Sequence, residues 1–349
     1  MAPGCAHAGA APLLEGTRVN KPGKAVLVEV PNTIEMCDRI ESDMKQRGRG
    51  VVRHKGPAAF KATASPLGEG DVLFALGMPC NRELLASASI RAVVSPYTGT
   101  DFIDVAAATK LGIVVGHGQV PENSVGMAES SIMLMLACLY DLRRSEKLLR
   151  ENLPRPPRFA HLAMRKTLGL IGLGEISRAV AARLTGWGMN VLAHAPRPRP
   201  PIPANVELVA LGELLRRSDV VMVHASLNEE TRDLLNAERL ALMKHGAILI
   251  NTSRGGIVNE QALLKAIESG KLANTALDVF ETEPLPEASP LRNLPNALLT
   301  PHMVGQTIES EQALIVAAIE NVAQAMQGRP PLYVRNPAVL PAWEKRWGG

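Results

Sequence analysis

Aromatic residues make up only 3% of the 349-residue chain, so its core must be filled by Ala, Leu, Val, Ile and Met. Cysteine is scarce as well. Cys5, Cys37, Cys80 and Cys138 show no C-x-x-C spacing, which argues against a disulfide scaffold and reads as reduced, mostly buried thiols. No long hydrophobic run exists: the apolar stretch IMLMLACLY, residues 132–140, is far shorter than the ~20 residues a bilayer crossing needs, so no membrane span is expected. A large excess of positive or negative charge is missing too. The net charge is +4, and the one basic cluster, residues 154–166, is broken by prolines and carries a single aromatic. A nucleic-acid groove calls for a basic stripe with stacking aromatics, so no such partner is expected. The N-terminus lacks the charged and apolar regions of a signal peptide, and a cytoplasmic location follows as the expectation. Residues 1–24, rich in Ala, Gly and Pro, are expected to form a flexible tail. No metal site is expected.

What is present is alternation. Short apolar runs at 25–30, 71–77, 90–96 and 113–116 are interleaved with helical spacing through Ile34, Met36, Ile40 and Met44 and near 81–88 and 101–110. Strand and helix at short intervals predict a parallel sheet with crossover helices. From Ser124 to about Arg150 the apolar spacing predicts one long helix, ended by the proline-rich 153–158. A second alternating set then runs from 167 to 302, with a helix predicted from the glycine turn to Trp187, and an amphipathic helix follows at 307–327. The chain after His302 has a helix but no sheet of its own. The prediction is therefore an α/β protein of two Rossmann-like parallel-sheet domains with a cleft between them. The nucleotide-binding domain, residues 124–303, is inserted into a discontinuous flavodoxin-like substrate domain made of 1–123 and 304–349.

Gly172 and Gly174 in TLGLIGLGEIS sit where an apolar strand turns into a helix. There a side chain would bar a pyrophosphate from the backbone, and the helix start offers free N–H groups. Ser177 occupies the place of the third glycine of G-x-G-x-x-G, where only helix–strand packing is at stake. The end of the next strand reads His194-Ala195-Pro196-Arg197, without the acid that usually binds the ribose 2′-hydroxyl. With Arg197 and Arg199 close by, NADP is expected to be at least tolerated beside NAD.

Three polar groups follow in order beyond predicted strand ends: Arg254 in NTSRGG, Glu283 in DVFETEP and His302 in TPH. A guanidinium can hold a carboxylate and polarise a neighbouring carbonyl, and an imidazolium can supply the proton that a hydride-reduced carbonyl oxygen needs. A carboxylate beside the imidazole favours its charged form and fixes its tautomer.

From about residue 70 to 330 these elements resemble the D-2-hydroxyacid dehydrogenase family, which includes phosphoglycerate dehydrogenases and glyoxylate/hydroxypyruvate reductases. The resemblance implies hydride transfer between NAD(P)H and a small 2-keto acid, with its D-2-hydroxy acid as product, by a homodimer joined through the helix after Ser124. It implies that Arg254, Glu283 and His302 are catalytic and that Asp278 faces the nicotinamide. It further implies cofactor contacts at Gly172, Gly174, Glu175, Ile176, Arg197, His224, Ala225, Thr231, Thr252, Ser253, Arg254, Asp278, His302 and Gly305. Substrate contacts are implied at Gly77, Tyr97, Thr98 and Gly99, with Arg254 and His302.

Departures from the family pattern are local. Ser226 replaces a proline in HASLNEETRDLL, and Tyr97 and Phe102 stand where glycine and asparagine are usual. Leu76-Gly77-Met78 falls on the substrate loop and predicts an apolar rim, suited to a small or apolar substituent rather than a phosphate. Two other functions share this fold: oxidation of another small anion, as in formate and phosphite dehydrogenases, and a non-enzymatic NAD(H)-sensing scaffold of the corepressor type.

Overall fold

The computed structural model describes residues 23–157 and 160–348. The segment expected as a flexible tail lies outside the described residues up to position 22, as does Cys5. The described residues form two compact units, one built from residues 23–120 together with 311–348, the other from Pro121–Ser310.

The first unit carries β1 (Ala25–Val28), α1 (Ile34–Gln46), β2 (Val51–His54), α2 (Pro57–Ala62), β3 (Val72–Phe74), α3 (Arg82–Ala86), β4 (Ala92–Val94), α4 (Val105–Lys110) and β5 (Val114–Gly116). Its five strands are all parallel, in the order β2-β1-β3-β4-β5. β1, β3, β4 and β5 are buried throughout, as expected of a parallel sheet covered on both faces. Helix starts are set by side-chain caps: Asn81 Oδ1 accepts from Leu84 N at 3.0 Å, and Asp104 Oδ1 from Ala107 N at 2.8 Å.

The second unit opens with α5 (Pro121–Leu139) and α6 (Leu142–Arg150). The single helix expected here is broken. Asp141 takes a left-handed backbone, φ +45°, and the two axes diverge by 57°. Aspartate tolerates that conformation, and apolar spacing continues on both sides, so the pattern carries no trace of the corner. There follow β6 (Thr167–Ile171), α7 (Glu175–Arg183), β7 (Asn190–His194), β8 (Val206–Leu208), α8 (Leu211–Arg217), β9 (Val220–Val223), α9 (Ala237–Leu242), β10 (Ala247–Asn251), α10 (Glu260–Glu268), β11 (Leu272–Leu277) and β12 (Ala297–Leu299). α7 stops short of the predicted Trp187, where Gly186 and Gly188 take φ +85° and +67°. The seven strands are parallel, ordered β12-β11-β10-β9-β6-β7-β8.

After this sheet the chain forms α11 (Ile308–Met326) and α12 (Leu340–Trp347). Leu314, Ala318 and Val322 of α11 and Trp343 of α12 are buried with Leu27, Met36, Phe74 and Val94 in one core of the first unit. Trp343 Nε1 donates to Arg91 O at 2.7 Å, which satisfies the only polar atom of that buried indole. No single helix among the described residues is long and apolar enough to cross a membrane.

Candidate active site

The glycine turn lies between β6 and α7. Gly172 has φ +94°, and a Cβ there would come within 2.9 Å of the His224 carbonyl oxygen, so only glycine fits. Gly174 caps α7, and a Cβ on it would meet nothing within 4 Å. Glu175 and Ile176 follow as the first helical residues, the former exposed and the latter half-buried. An open space faces the unpaired amides of a helix start here, which is what a pyrophosphate requires, so the residues present fit a dinucleotide. Ser177, in the third-glycine place, is fully buried and donates its hydroxyl to Gly172 O at 2.7 Å.

Beyond β7, Arg197 is exposed but not alone. Glu230, on the loop after β9, holds its guanidinium at 2.8 Å. The end of β7 itself carries no acid, as the sequence reads, but one lies beside Arg197 in the folded chain. The carboxylate comes from a strand loop distant in sequence, which a reading confined to residues 194–199 does not see. Arg178, which sequence reasoning also missed, donates to the carbonyls of Arg199 and Pro201 and anchors the proline-rich loop to α7. In the loop after β9, Thr231 donates its hydroxyl to Ser226 O at 2.7 Å and accepts from Asn228 N at 2.8 Å. Its side chain thus shapes the loop itself. Ala225 packs half-buried against the core on that side of the sheet.

The catalytic candidates stand beyond three adjacent strands. After β10, the buried Asn251 builds the turn: its Oδ1 accepts from Ser253 N at 3.1 Å and Ser253 Oγ at 2.8 Å, and its Nδ2 donates to Arg254 O at 3.0 Å. Arg254 is half-buried and donates from Nη1 to Ser253 O at 2.7 Å. Next to it, a Cβ on Gly255 would lie 1.9 Å from the Phe280 carbonyl carbon, so the arginine loop and the glutamate loop touch through backbone. After β11, Asp278 is buried, and its Oδ1 accepts from Thr300 Oγ1, Met303 N and Val304 N at 2.7, 3.0 and 3.2 Å. These bonds fold the turn after β12 that carries His302. That residue has φ +55°, a strained backbone for a non-glycine, held by the turn around it. Gly305, further along, is buried against Met127 of α5.

Glu283 and His302 meet. His302 Nδ1 lies 2.6 Å from Glu283 Oε2, while Glu283 Oε1 accepts from Phe280 N at 3.0 Å. Burial opposes ionisation of Glu283, but the hydrogen bonds from His302 and the Phe280 amide, with the charge of Arg254, outweigh it and hold the carboxyl below the usual carboxylate range. With Nδ1 engaged, His302 keeps Nε2 for chemistry.

The substrate residues expected in the first unit are placed at the C-terminal ends of β3 and β4. Gly77 is exposed with φ +64°. Met78 corrects the expected apolar rim, for it is buried in the core beside Leu73 and Leu85, and of the two apolar side chains only Leu76, half-buried, is accessible. Tyr97 packs against the core under α1 and α11, and its hydroxyl lies 3.4 Å from Asn32 O. Thr98 Oγ1 donates to Gly118 O at 2.9 Å, and Gly99 O accepts from Ser95 Oγ at 2.8 Å. Among the described residues no cluster suits a metal ion.

Residues 132–304 match the model of the D-isomer specific 2-hydroxyacid dehydrogenase, NAD binding domain. The glyoxylate reductase of Thermofilum pendens is 38% identical over 269 residues, covering 74% of this chain and 78% of that protein. The chain belongs to the D-isomer specific 2-hydroxyacid dehydrogenase family. As a member it is an oxidoreductase of 2-hydroxy acids that works with NAD or NADP. Solved structures agree: a glyoxylate reductase from Paecilomyes thermophila superposes with a TM-score of 0.79 at 29% identity, covering 91% of this dehydrogenase and 100% of that chain. The D-lactate dehydrogenase of Aquifex aeolicus, complexed with NAD and lactic acid, gives 0.76 at 27%, covering 87% and 96%. This dehydrogenase spans about half the length of the D-3-phosphoglycerate dehydrogenases it also matches.

Proposed function

We propose that this dehydrogenase reduces a small 2-keto acid of glyoxylate or hydroxypyruvate size to its D-2-hydroxy acid. The observation that carries the reading is the 2.6 Å contact between His302 and Glu283 beside the half-buried Arg254. A bound nicotinamide supplies the hydride. Arg254 holds the substrate carboxylate and polarises the keto oxygen, as a forked guanidinium is able to do. His302 delivers the proton from Nε2 as charge builds on that oxygen, and Glu283 keeps the ring oriented and stabilises its charged form. In the reverse direction the same imidazole accepts the proton. Leu76 and Gly77 bring no charged side chain to the expected substrate loop, which supports an unphosphorylated substituent.

NADP is accepted beside NAD in this reading, with Arg197 as the partner of a 2′-phosphate. The protein acts as a homodimer through α5, α6 and the corner between them, where Met133, Tyr140, Leu142 and Leu149 are exposed apolar residues, the last at 86%. The buried free thiols of Cys37, Cys80 and Cys138 support a reducing, cytoplasmic setting.

A steady-state screen tests the function: glyoxylate, hydroxypyruvate, pyruvate, phosphohydroxypyruvate, formate and phosphite, each with both cofactors. The highest kcat/KM is expected for glyoxylate or hydroxypyruvate, and His302→Asn is expected to lower kcat by about 10²- to 10⁴-fold. Turnover of formate or phosphite without any keto acid would overturn the substrate class. A best rate on the phosphorylated acid would overturn the loop reading. Cofactor binding with no turnover at all would point to a sensing scaffold.

A further inference from the structure

A line of buried hydroxyls and one imidazole runs behind the glycine turn. Ser177 Oγ donates to Gly172 O at 2.7 Å and lies 3.0 Å from His224 Nδ1. On the other side of the ring, His224 Nε2 is 3.2 Å from Ser131 Oγ of α5, and Ser131 Oγ is 3.3 Å from Thr252 Oγ1. Thr252 stands two residues before Arg254 in the turn that presents it. Ser131 and Ser177 are fully buried and Thr252 nearly so.

Proton counting fixes the direction of the line at its Ser177 end. The single proton of Ser177 goes to Gly172 O, so Ser177 accepts from His224 and the ring carries its hydrogen on Nδ1. Nε2 is then an acceptor, and Ser131 is the donor in reach, although Met127 O at 2.7 Å competes for the same proton. The ring stays neutral here, because burial pushes the imidazole down to about 4. Alanine at 177 with an apolar side chain at 224 would fill much of the same space without burying a hydroxyl and two ring nitrogens, so bulk alone does not account for Ser177 and His224.

We infer that Ser177, His224 and Ser131 act as positioning residues, a relay that holds the cofactor turn at Gly172 and the substrate arginine loop at Thr252–Arg254 in one arrangement. Cutting the line at either serine loosens both ends. This inference rests on the proposed function for its kinetic part, but its structural part needs no cofactor.

The test compares Ser177→Ala, Ser177→Gly, Ser131→Ala and the double Ser131→Ala/Ser177→Ala. NADH affinity is read by fluorescence without substrate, glyoxylate KM at saturating NADH, and amide hydrogen exchange of residues 172–176 and 252–255 in the free protein. Each single variant is expected to weaken NADH binding and raise KM about fivefold, the worth of one net hydrogen bond. Exchange is expected to quicken at both turns, and the double variant to cost no more than the worse single. Ser177→Gly with parental NADH affinity would overturn the relay, since smallness would then be all that position 177 needs. So would Ser131→Ala with unchanged exchange at residues 172–176, or additive losses in the double. Should Ser177→Ala fail to fold, Ser177→Gly and Ser131→Ala decide the matter from opposite sides of the ring. If the parent binds neither NADH nor NADPH, the enzymatic reading falls while the exchange comparison still judges the relay.

Discussion

Thr300 gives its hydroxyl to Asp278 at 2.7 Å, and the amides of Met303 and Val304 close on the same carboxylate oxygen. One buried side chain at the end of β11 therefore sets the backbone that carries His302. Asp278→Ala is expected to lower kcat about 100-fold, because small misplacement of a catalytic group costs on that order. Asp278→Asn keeps an acceptor oxygen and is expected to lose less. Steady-state kinetics on both variants check this, and an alanine variant within threefold of the parent would sink it.

Arg197 and Glu230 form an exposed pair, with side chains 81% and 68% accessible. Such pairs are worth roughly 0–1 kcal/mol, so freeing Arg197 is cheap. Glu230→Gln is expected to shift preference toward NADPH by no more than about fivefold, and Arg197→Ala to shift it toward NADH. The ratio of kcat/KM values for the two cofactors measures both, and a preference of the parent for NADH above about tenfold would show that Arg197 does not serve a 2′-phosphate.

Two desolvated imidazoles make stability depend on acid. His117 in the first unit and His224 in the second are each pushed down to about 4, by burial and, for His117, by the charge of Arg335 as well. Between pH 4 and the ordinary imidazole value near 6.5 the unfolded chain binds protons that the folded chain refuses. Stability therefore rises with pH across that window, by about 1.4 kcal/mol per pH unit for each histidine. Calorimetry from pH 4 to 7 is expected to show Tm climbing to about 6.5 and then levelling, and a flat profile would contradict the assignment.

The apolar stretch on α5 and α6 gives a prediction of assembly. Met133→Glu together with Leu142→Glu is expected to convert a dimer into monomers without loss of secondary structure. Sedimentation of parent and variant would settle it, a monomeric parent being the contrary outcome.

Much of this was legible in the sequence. Strands buried on both faces read as apolar runs, and the polar groups that follow β10, β11 and β12 stood in order in NTSRGG, DVFETEP and TPH. What escaped has physical causes. β2 and β8 are edge strands with half-exposed or exposed residues, so neither reads as an apolar run. The corner at Asp141 leaves the apolar spacing intact. Met78 reads as a rim residue because a loop sequence does not say which side chains turn inward. Glu230 reaches Arg197, and Ser131 reaches His224, only through the sheet, and pairings of that range have no local signature. Ser177 reads in the sequence as a small stand-in for glycine, whereas its hydroxyl is the part that bonds.

Arg254, Asp278 and His302 each hang from a different one of three neighbouring strands, β10, β11 and β12. The ladder between those strands is thus a ruler marked in steps of about 3.3 Å. A slip of a single step in either pairing would carry one of these groups out of range of the others while leaving the sheet intact, so engineering that lengthens or trims any of the three strands changes chemistry before it changes fold.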